Sequence, residues 1–241
     1  MSMWIQILNI IIPQSEKLRE FWVAEKLHKL KKNTKILDAG AGECYYQRYC
    51  RHLAYTSQDF GKYDGKGDRK GIQTKTRDSS KIDIISDITN IPVASGSFDA
   101  VLCVEVFEHL PRPLDALAEL SRVLKKGGIL ILTAPRQSIT HYSPYYFYAG
   151  FSENFYKDNV PGYGFTIEEI YTYGNYFDVL SLELLRVPLV CLRSRSIFSF
   201  LIMLLYPFAI PAYVLLRILA LILPKSSDLL SFGICIRAKK R

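Results

Sequence analysis

The chain has 241 residues, 49% of them apolar and 22% charged, with only 14 Gly and 11 Pro. This composition excludes a disordered, collagen-like or disulfide-dense chain and leaves room for one enzyme-sized domain or two small ones. Thirty-one basic against 23 acidic residues give a net charge of +8, and only its distribution can separate nucleic acid, anionic lipid and a basic rim as the cause.

The apolar start, residues 1–12, lacks a basic leader region and a small-residue cleavage site, and Pro13 follows it at once. It reads as an interfacial helix carrying Trp4, with the catalytic part of the protein on the cytosolic side. Residues 14–32 space Leu18, Phe21, Trp22, Val23, Leu27 and Leu30 as one helical stripe with a Lys-rich back, an amphipathic helix that introduces the domain at residue 33. Short apolar runs then alternate with helical stretches. Strands are predicted over 35–39, 54–59, 82–86, 99–105 and 129–133, and a crossover helix over 113–124, where Leu114, Leu117, Leu120 and Leu124 recur at spacings of three and four. Gly127-Gly128 is read as the stop of that helix. The rhythm is βαβ and predicts an α/β fold of Rossmann-like, doubly wound type with a seven-stranded, mostly parallel sheet. Its last two strands are read at 177–187 and 232–238. The five cysteines, Cys44, Cys50, Cys103, Cys191 and Cys235, form no CxxC pair and have no ligand spacing to His28, His52, His109 or His141, so neither a metal centre nor a disulfide scaffold is expected.

Two segments interrupt the rhythm. Residues 142–177 hold 14 of the 31 aromatics, which suggests a cover over a binding site, the other reading being a crossover with its core stripe. Tyr142, Tyr145 and Tyr146 open the segment, and tyrosine offers an apolar face with a hydroxyl, suited to a sugar or an aromatic acceptor. Residues 197–223 contain seventeen Leu, Ile, Val or Phe and one charge, Arg217. A single crossing would strand the final β-segment on the wrong side of a bilayer. The run is therefore expected to be a hydrophobic helical hairpin, inserted before the last strand and bent at Pro207 to Pro211, that enters a membrane from one side. Residues 184–227 carry Arg186, Arg193, Arg195, Arg217 and Lys225 and no acid, which favours an anionic leaflet. The alternative is a buried helix pair or the seam of a homodimer. The other basic cluster, Lys62 to Arg77, is interleaved with Asp64, Asp68 and Asp78 and reads as a solvated loop rather than a nucleic-acid groove.

Asp38-Ala39-Gly40-Ala41-Gly42 places an acid at the end of the first strand and two glycines in the turn that follows. Glycine there lets a ligand approach the backbone closely, and the carboxyl ends of strands are where open α/β sheets bind nucleosides. Asp59 closes the second strand, where a carboxylate can accept both hydroxyls of a ribose. No complete GxGxxG is present, which disfavours a nicotinamide dehydrogenase.

Together with Ser86-Asp87-Ile88, Ser97-Phe98-Asp99, Glu108-His109-Leu110 and Arg122 to Gly128, this ordered series over residues 34–136 resembles the class I S-adenosylmethionine-dependent methyltransferases, in particular the type 11 group. The resemblance implies S-adenosylmethionine as cofactor. Asp38, Gly40 and Gly42 would meet its methionyl part, Asp59 its ribose, and Asp87 with the backbone of Ile88 its adenine. Cys44, where many members have a third glycine, departs from the pattern and narrows the pocket; Lys126, where many have proline, puts little in doubt. Past the fourth strand, His109 is a candidate general base for an oxygen nucleophile or a packing histidine, and His141 is a second candidate. Glu105 and Glu108 could cradle the substrate or orient His109. The expected activity is O-methylation of a glycan, lipid-linked sugar or prenylated small molecule at a membrane surface. A catalytically silent binding module is the other reading.

Overall fold

The computed structural model describes residues 15–194 and 197–241; the apolar segment at 1–12, with Trp4, lies outside them. The elements are α1 (Ser15–His28), β1 (Lys35–Ala39), β2 (Ala54–Asp59), β3 (Ile84–Ile85), β4 (Phe98–Val104), α2 (Pro113–Val123), β5 (Leu124–Pro135), α3 (Glu153–Gly162), β6 (Phe165–Tyr173), α4 (Tyr176–Ser194), α5 (Ile197–Leu205), α6 (Ile210–Ile222) and β7 (Gly233–Lys240). The strands form one seven-stranded sheet in the order β3-β2-β1-β4-β5-β7-β6. β1 pairs in parallel with β2 and β4, β2 with β3 and β4 with β5, while β7 runs antiparallel to β5. The strand order reverses beside β1, between β1 and β4, which is where a doubly wound sheet opens a crevice at its carboxyl edge.

The expected strands at 35–39 and 54–59 are found at those residues: β1 buries Ile36, Leu37 and Ala39 around Asp38, and β2 buries its polar end, Ser57, Gln58 and Asp59, through their hydrogen bonds. The β3 strand shrinks to two residues, for the Asp83 carboxylate accepts both the N–H and the hydroxyl of Ser57, each at 2.8 Å. Gly127 and Gly128 do not stop the crossover helix. That helix ends at Val123, and the glycines lie in the register shift by which Phe98 faces Leu124 and Ala100 faces Ile129. A Cβ on Gly128 would stand 2.8 Å from the Lys125 carbonyl and 3.0 Å from that of Asp99, so the strands close up only over glycine. In α2, Ala116, Leu117, Leu120 and Val123 are fully buried and join Leu37, Val101, Leu130 and Ile236 in one apolar cluster.

Residues 177–187 are helical, not a strand. Asn175 Oδ1 accepts the N–H groups of Phe177 and Asp178, and Asp178 Oδ2 accepts the N–H of Asn175, a reciprocal cap that starts a helix. The Leu-rich stretch behind it continues α4 to Ser194. The seventh strand is β6, Phe165–Tyr173, rich in β-branched and aromatic residues. It was hidden inside the aromatic segment.

Two compact units divide the chain. One, residues 19–171 and 233–241, holds most of the sheet with α2 and α3. The other comprises residues 172–232 and, at the start of α1, residues 15–18. In it α4 packs against α5 and α6. The hairpin therefore has α4 as one limb and α5 with α6 as the other. No bend stands at Pro207 to Pro211: Tyr206–Ala209 is a 3-10 turn flanked by right-handed helical backbone at Leu205 and Ile210. Pro207 begins that turn and Pro211 lies in the first turn of α6, positions where the missing N–H costs no hydrogen bond.

Candidate functional site

The turn after β1 is built as its glycines require. Gly40 and Gly42 have φ of +76° and +59°, in the left-handed region that glycine enters without strain. The N–H groups of Gly40 and Ala41 both donate to the Gln58 carbonyl at 2.8 Å, which ties the turn to the end of β2. A Cβ on Gly40 would lie 2.5 Å from Val106 Cγ2.

Asp38 and Asp59 close adjacent strands beneath this turn. Asp38 is buried, accepts the Tyr55 hydroxyl at 2.7 Å, and is pushed up to about 7 by burial, a tendency that the Tyr55 hydrogen bond opposes and the neighbouring Asp59 charge reinforces. A buried carboxyl held so high ionises readily once a cation arrives beside it. Asp59 accepts the N–H of Gly42 at 3.0 Å and of Gly61 at 2.9 Å. Its Oδ2 also pairs with Arg77 Nη2 at 3.2 Å, the two side chains being 4% and 16% exposed. Arg77 thus sits on the glycine turn rather than in a solvated loop, and a Cβ on Gly42 would meet its Nη2 at 2.8 Å. The Glu43 carboxylate accepts the N–H of Asp78 and pins this loop to the turn. Asp87 is exposed and its Oδ1 accepts the N–H and hydroxyl of Thr89, leaving Oδ2 for a further donor, while Ile88 is buried in the core beside it. The strand-tip acids and the backbone stripped of Cβ atoms suit a nucleoside with a cationic amino-acid tail. The residues present therefore fit S-adenosylmethionine.

Past β4 the chain makes a left-handed step at Glu105, φ +52°. Glu105 accepts the Thr133 hydroxyl at 2.9 Å and pairs with Arg19 at 3.1 Å, so it braces the site and faces α1. Glu108 is fully buried and neither carboxyl oxygen has a hydrogen-bond partner. Burial and the Glu105 charge hold it well above the ordinary carboxylate range, so it carries its proton. His109 Nδ1 lies 2.5 Å from the Tyr145 carbonyl; a carbonyl only accepts, which places the proton on Nδ1 and a lone pair on Nε2. That Nε2 is 3.7 Å from Glu108 Oε1. Burial and His141 lower His109 to about 4, and the ring is neutral at physiological pH.

His141 stands against His109, ring centroids 4.7 Å apart, with its Nδ1 2.9 Å from the Ile139 carbonyl. Tyr142 stacks on His109 at 5.3 Å. Tyr146 packs on His141 and donates to the Ser138 carbonyl, and Tyr145 meets Phe60 edge-on at 4.9 Å. The sequence-predicted residues His109, His141, Glu108, Tyr142, Tyr145 and Tyr146 therefore form one cluster. Among the described residues, Glu108, His109 and His141 also offer ligand atoms within 4.8 Å of one another, a set that could hold a cation.

Only the start of the aromatic segment reaches this cluster. Phe151, Tyr156 and Phe165 are buried in the sheet core, as in the crossover reading, while Tyr142 and Tyr146 pack on His109 and His141. The segment expected to be a solvated loop, around Asp68 and Ile72, is bound by its backbone to residues 140–143. Ile72 and Thr140, Tyr142 and Ile72, and Asp68 and Ser143 pair through their backbones at 2.9, 2.9 and 3.0 Å. Tyr63, 3% exposed, packs at a tilt against Tyr142 and lies under Arg77. A cavity of about 300 Å³ opens here between Lys62, Tyr63, Asp64, Asp68 and Tyr145. Arg77, Tyr63 and Gln58 were missed because their partners lie far off in sequence; the only local sign was a cation set among turn-forming acids.

Residues 37–132 match the family model of a methyltransferase domain. A ubiquinone biosynthesis O-methyltransferase of Xanthomonas oryzae pv. oryzae is 33% identical over 63 residues, 26% of each chain. Among solved structures, the YcgJ protein of Bacillus subtilis has a TM-score of 0.55 at 12% identity, covering 94% of this chain and 99% of that one. Phosphoethanolamine N-methyltransferase 2 of Haemonchus contortus, in complex with S-adenosyl-L-methionine, has a TM-score of 0.53 at 15% identity, covering 97% and 54%. The chain spans about a quarter to a third of the length of the curated relatives it matches. Together with the sheet order, the glycine turn and the strand-tip acids, the match over residues 37–132 supports a class I S-adenosylmethionine-dependent methyltransferase domain.

Proposed function

We propose that the protein methylates an oxygen of an amphiphilic acceptor, a glycan, lipid-linked sugar or prenylated ring, at the cytoplasmic face of a membrane. The observation that carries the chemistry is the neutral His109, whose proton is fixed on Nδ1 and whose Nε2 lone pair lies against the protonated Glu108. The cofactor supplies, when bound, a methyl group already activated on sulfur. The chain positions it and prepares the acceptor. Asp38 balances the charge of the amino-acid tail, Asp59 accepts from ribose hydroxyls once Arg77 turns aside, and Asp87 with the Ile88 backbone meets the adenine edge. His109 Nε2 takes the acceptor hydroxyl proton, and Tyr142 and Tyr145 stack on the acceptor and exclude water. Such positioning lowers a barrier by roughly 7 to 11 kcal/mol at near-attack distance.

The O-methyltransferase relative supports oxygen as the target atom. The apolar, acid-free segment 184–227 supports an acceptor held in lipid. A nicotinamide dehydrogenase is disfavoured by the absent GxGxxG and by the family match. The test is incubation with labelled methyl donor and a membrane lipid extract. Label should appear in an extractable species with native protein and vanish with Asp59→Ala. Donor binding without label in any species would point to the silent binding module.

A further inference from the structure

In water, a pair of packed helices buries its leucines and exposes its polar side chains. The hairpin of residues 176–222 does the reverse. Apart from Val179, its buried positions among the described residues are small or polar: Ser181, Cys191, Ser199, Arg217 and Ala220. Its exposed positions include Val190, Phe198, Leu204, Phe208, Leu215 and Ile222, with Phe208 80% exposed. The continuous helical path Leu201–Ile222 is 22 residues long, and only 6% of its most apolar stretch is buried.

The polar groups turned inward are paired between the limbs. Arg217, the sole charge from Ile197 to Ile222, forms an ion pair with Asp178 and donates to Ser181 Oγ at 3.3 Å. Asn175 Nδ2 donates to the Ala220 carbonyl at 2.8 Å, the Tyr206 hydroxyl to the Leu184 carbonyl at 2.9 Å, and Ser194 and Ser199 share a hydrogen bond of 2.6 Å. Small residues at the helix contact, with charges turned inside and paired, are what a hydrocarbon solvent selects.

We infer that this hairpin is immersed in a bilayer and enters and leaves through the same face. Its two roots are joined, for the Phe232 N–H donates to the Tyr173 carbonyl at 3.0 Å, and the strands that precede and follow it are neighbours in one sheet. At 1.5 Å per residue the Leu201–Ile222 path is about 33 Å long, comparable to the roughly 30 Å of a hydrocarbon core. Charge selects an anionic leaflet over a second copy of the chain. Residues 176–227 carry five cations against two acids; Asp178 and Glu183 pair with Arg217 and Arg186, and the net +3 would set like charges together in two copies, whereas anionic headgroups neutralise it. The inference deepens the membrane part of the proposed function and is independent of the methyl-transfer chemistry.

The test uses the full chain and vesicles of phosphatidylcholine with or without phosphatidylglycerol. Native protein should float with the anionic vesicles, and the double variant Leu204→Glu, Phe208→Glu should bind them at least tenfold more weakly while donor binding stays unchanged. A Phe208→Trp variant supplies a second readout: acyl-chain bromines should quench the new indole. Native protein that stays off both vesicle types, flotation that ignores the double substitution, or an indole untouched by acyl-chain bromines each overturns the inference. A concentration-dependent dimer that ignores vesicles assigns the face to a second copy instead.

Discussion

Replacing Asp38 by Asn removes the charge beneath the glycine turn and keeps its shape, since the Asn carbonyl can still accept from Tyr55. In the native protein burial lifts the carboxyl from 3.8 to about 7. At 1.36 kcal/mol per pH unit this corresponds to about 4 kcal/mol. The folded state holds this proton more tightly than the unfolded chain. Its stabilising effect is complete below the unfolded value and is lost as pH rises towards about 7. The Asn variant has no such proton, and the other titrating groups cancel between the two proteins. The difference in unfolding free energy should therefore move in favour of the variant by about 1.4 kcal/mol per pH unit between about pH 4 and 7, then level off. Urea unfolding followed by tryptophan fluorescence at stepped pH measures this. Donor binding should run the other way. The ammonium of S-adenosylmethionine favours the ionised carboxylate, so native affinity should rise up to about tenfold per pH unit from about pH 5 to 7, and the variant should be weak and flat. A stability difference independent of pH would refute the reasoning, because Asp38 would then not be protonated in the folded state.

Arg77→Gln should tighten donor binding several-fold and lower the stability of the free protein by about 1 to 2 kcal/mol, since the ion pair with Asp59 is broken in advance; weaker binding by calorimetry would mean that Arg77 holds the donor. Gly40→Ala forces a Cβ to 2.5 Å from Val106 Cγ2 at φ +76°. It should cost about 1 to 3 kcal/mol in urea unfolding and weaken donor binding about tenfold, and a neutral effect on both would contradict the tight turn. His109→Gln should leave donor binding intact and lower kcat roughly 100-fold or more, measured by single-turnover label transfer; an equal loss of donor affinity would assign His109 to cofactor binding. Because the His109 imidazole falls from 6.5 to about 4, its contribution to stability is present above the unfolded value and lost as pH falls towards about 4. His109→Gln should therefore be less acid-sensitive than native in that window, and parallel acid profiles would contradict the assigned burial.

The legible parts of the fold were those in which a local pattern had one structural meaning. β1 is an apolar run with an acid near its end and glycines in the turn that follows, and α2 shows an unbroken spacing of three and four. Residues 177–187 were illegible as a helix because their seven apolar residues include a partial alternation, Leu180, Leu182 and Leu184, that reads equally as a strand. The deciding signal was the Asn175 and Asp178 cap. In the site, the residues at strand ends were readable, for topology alone brings those ends together. The pairing of His109 with His141 and the placement of Arg77 on Asp59 depend on two loops closing over the sheet edge, and nothing in the local sequence of either loop records the other.

Calorimetric titration of S-adenosylmethionine into the full chain at neutral pH, beside Asp59→Ala, decides whether the strand-tip acids hold the donor. Saturable heat at one site per chain, lost in the variant, is the predicted result. Absence of heat with the native protein, or undiminished binding after loss of the Asp59 carboxylate, would contradict that role.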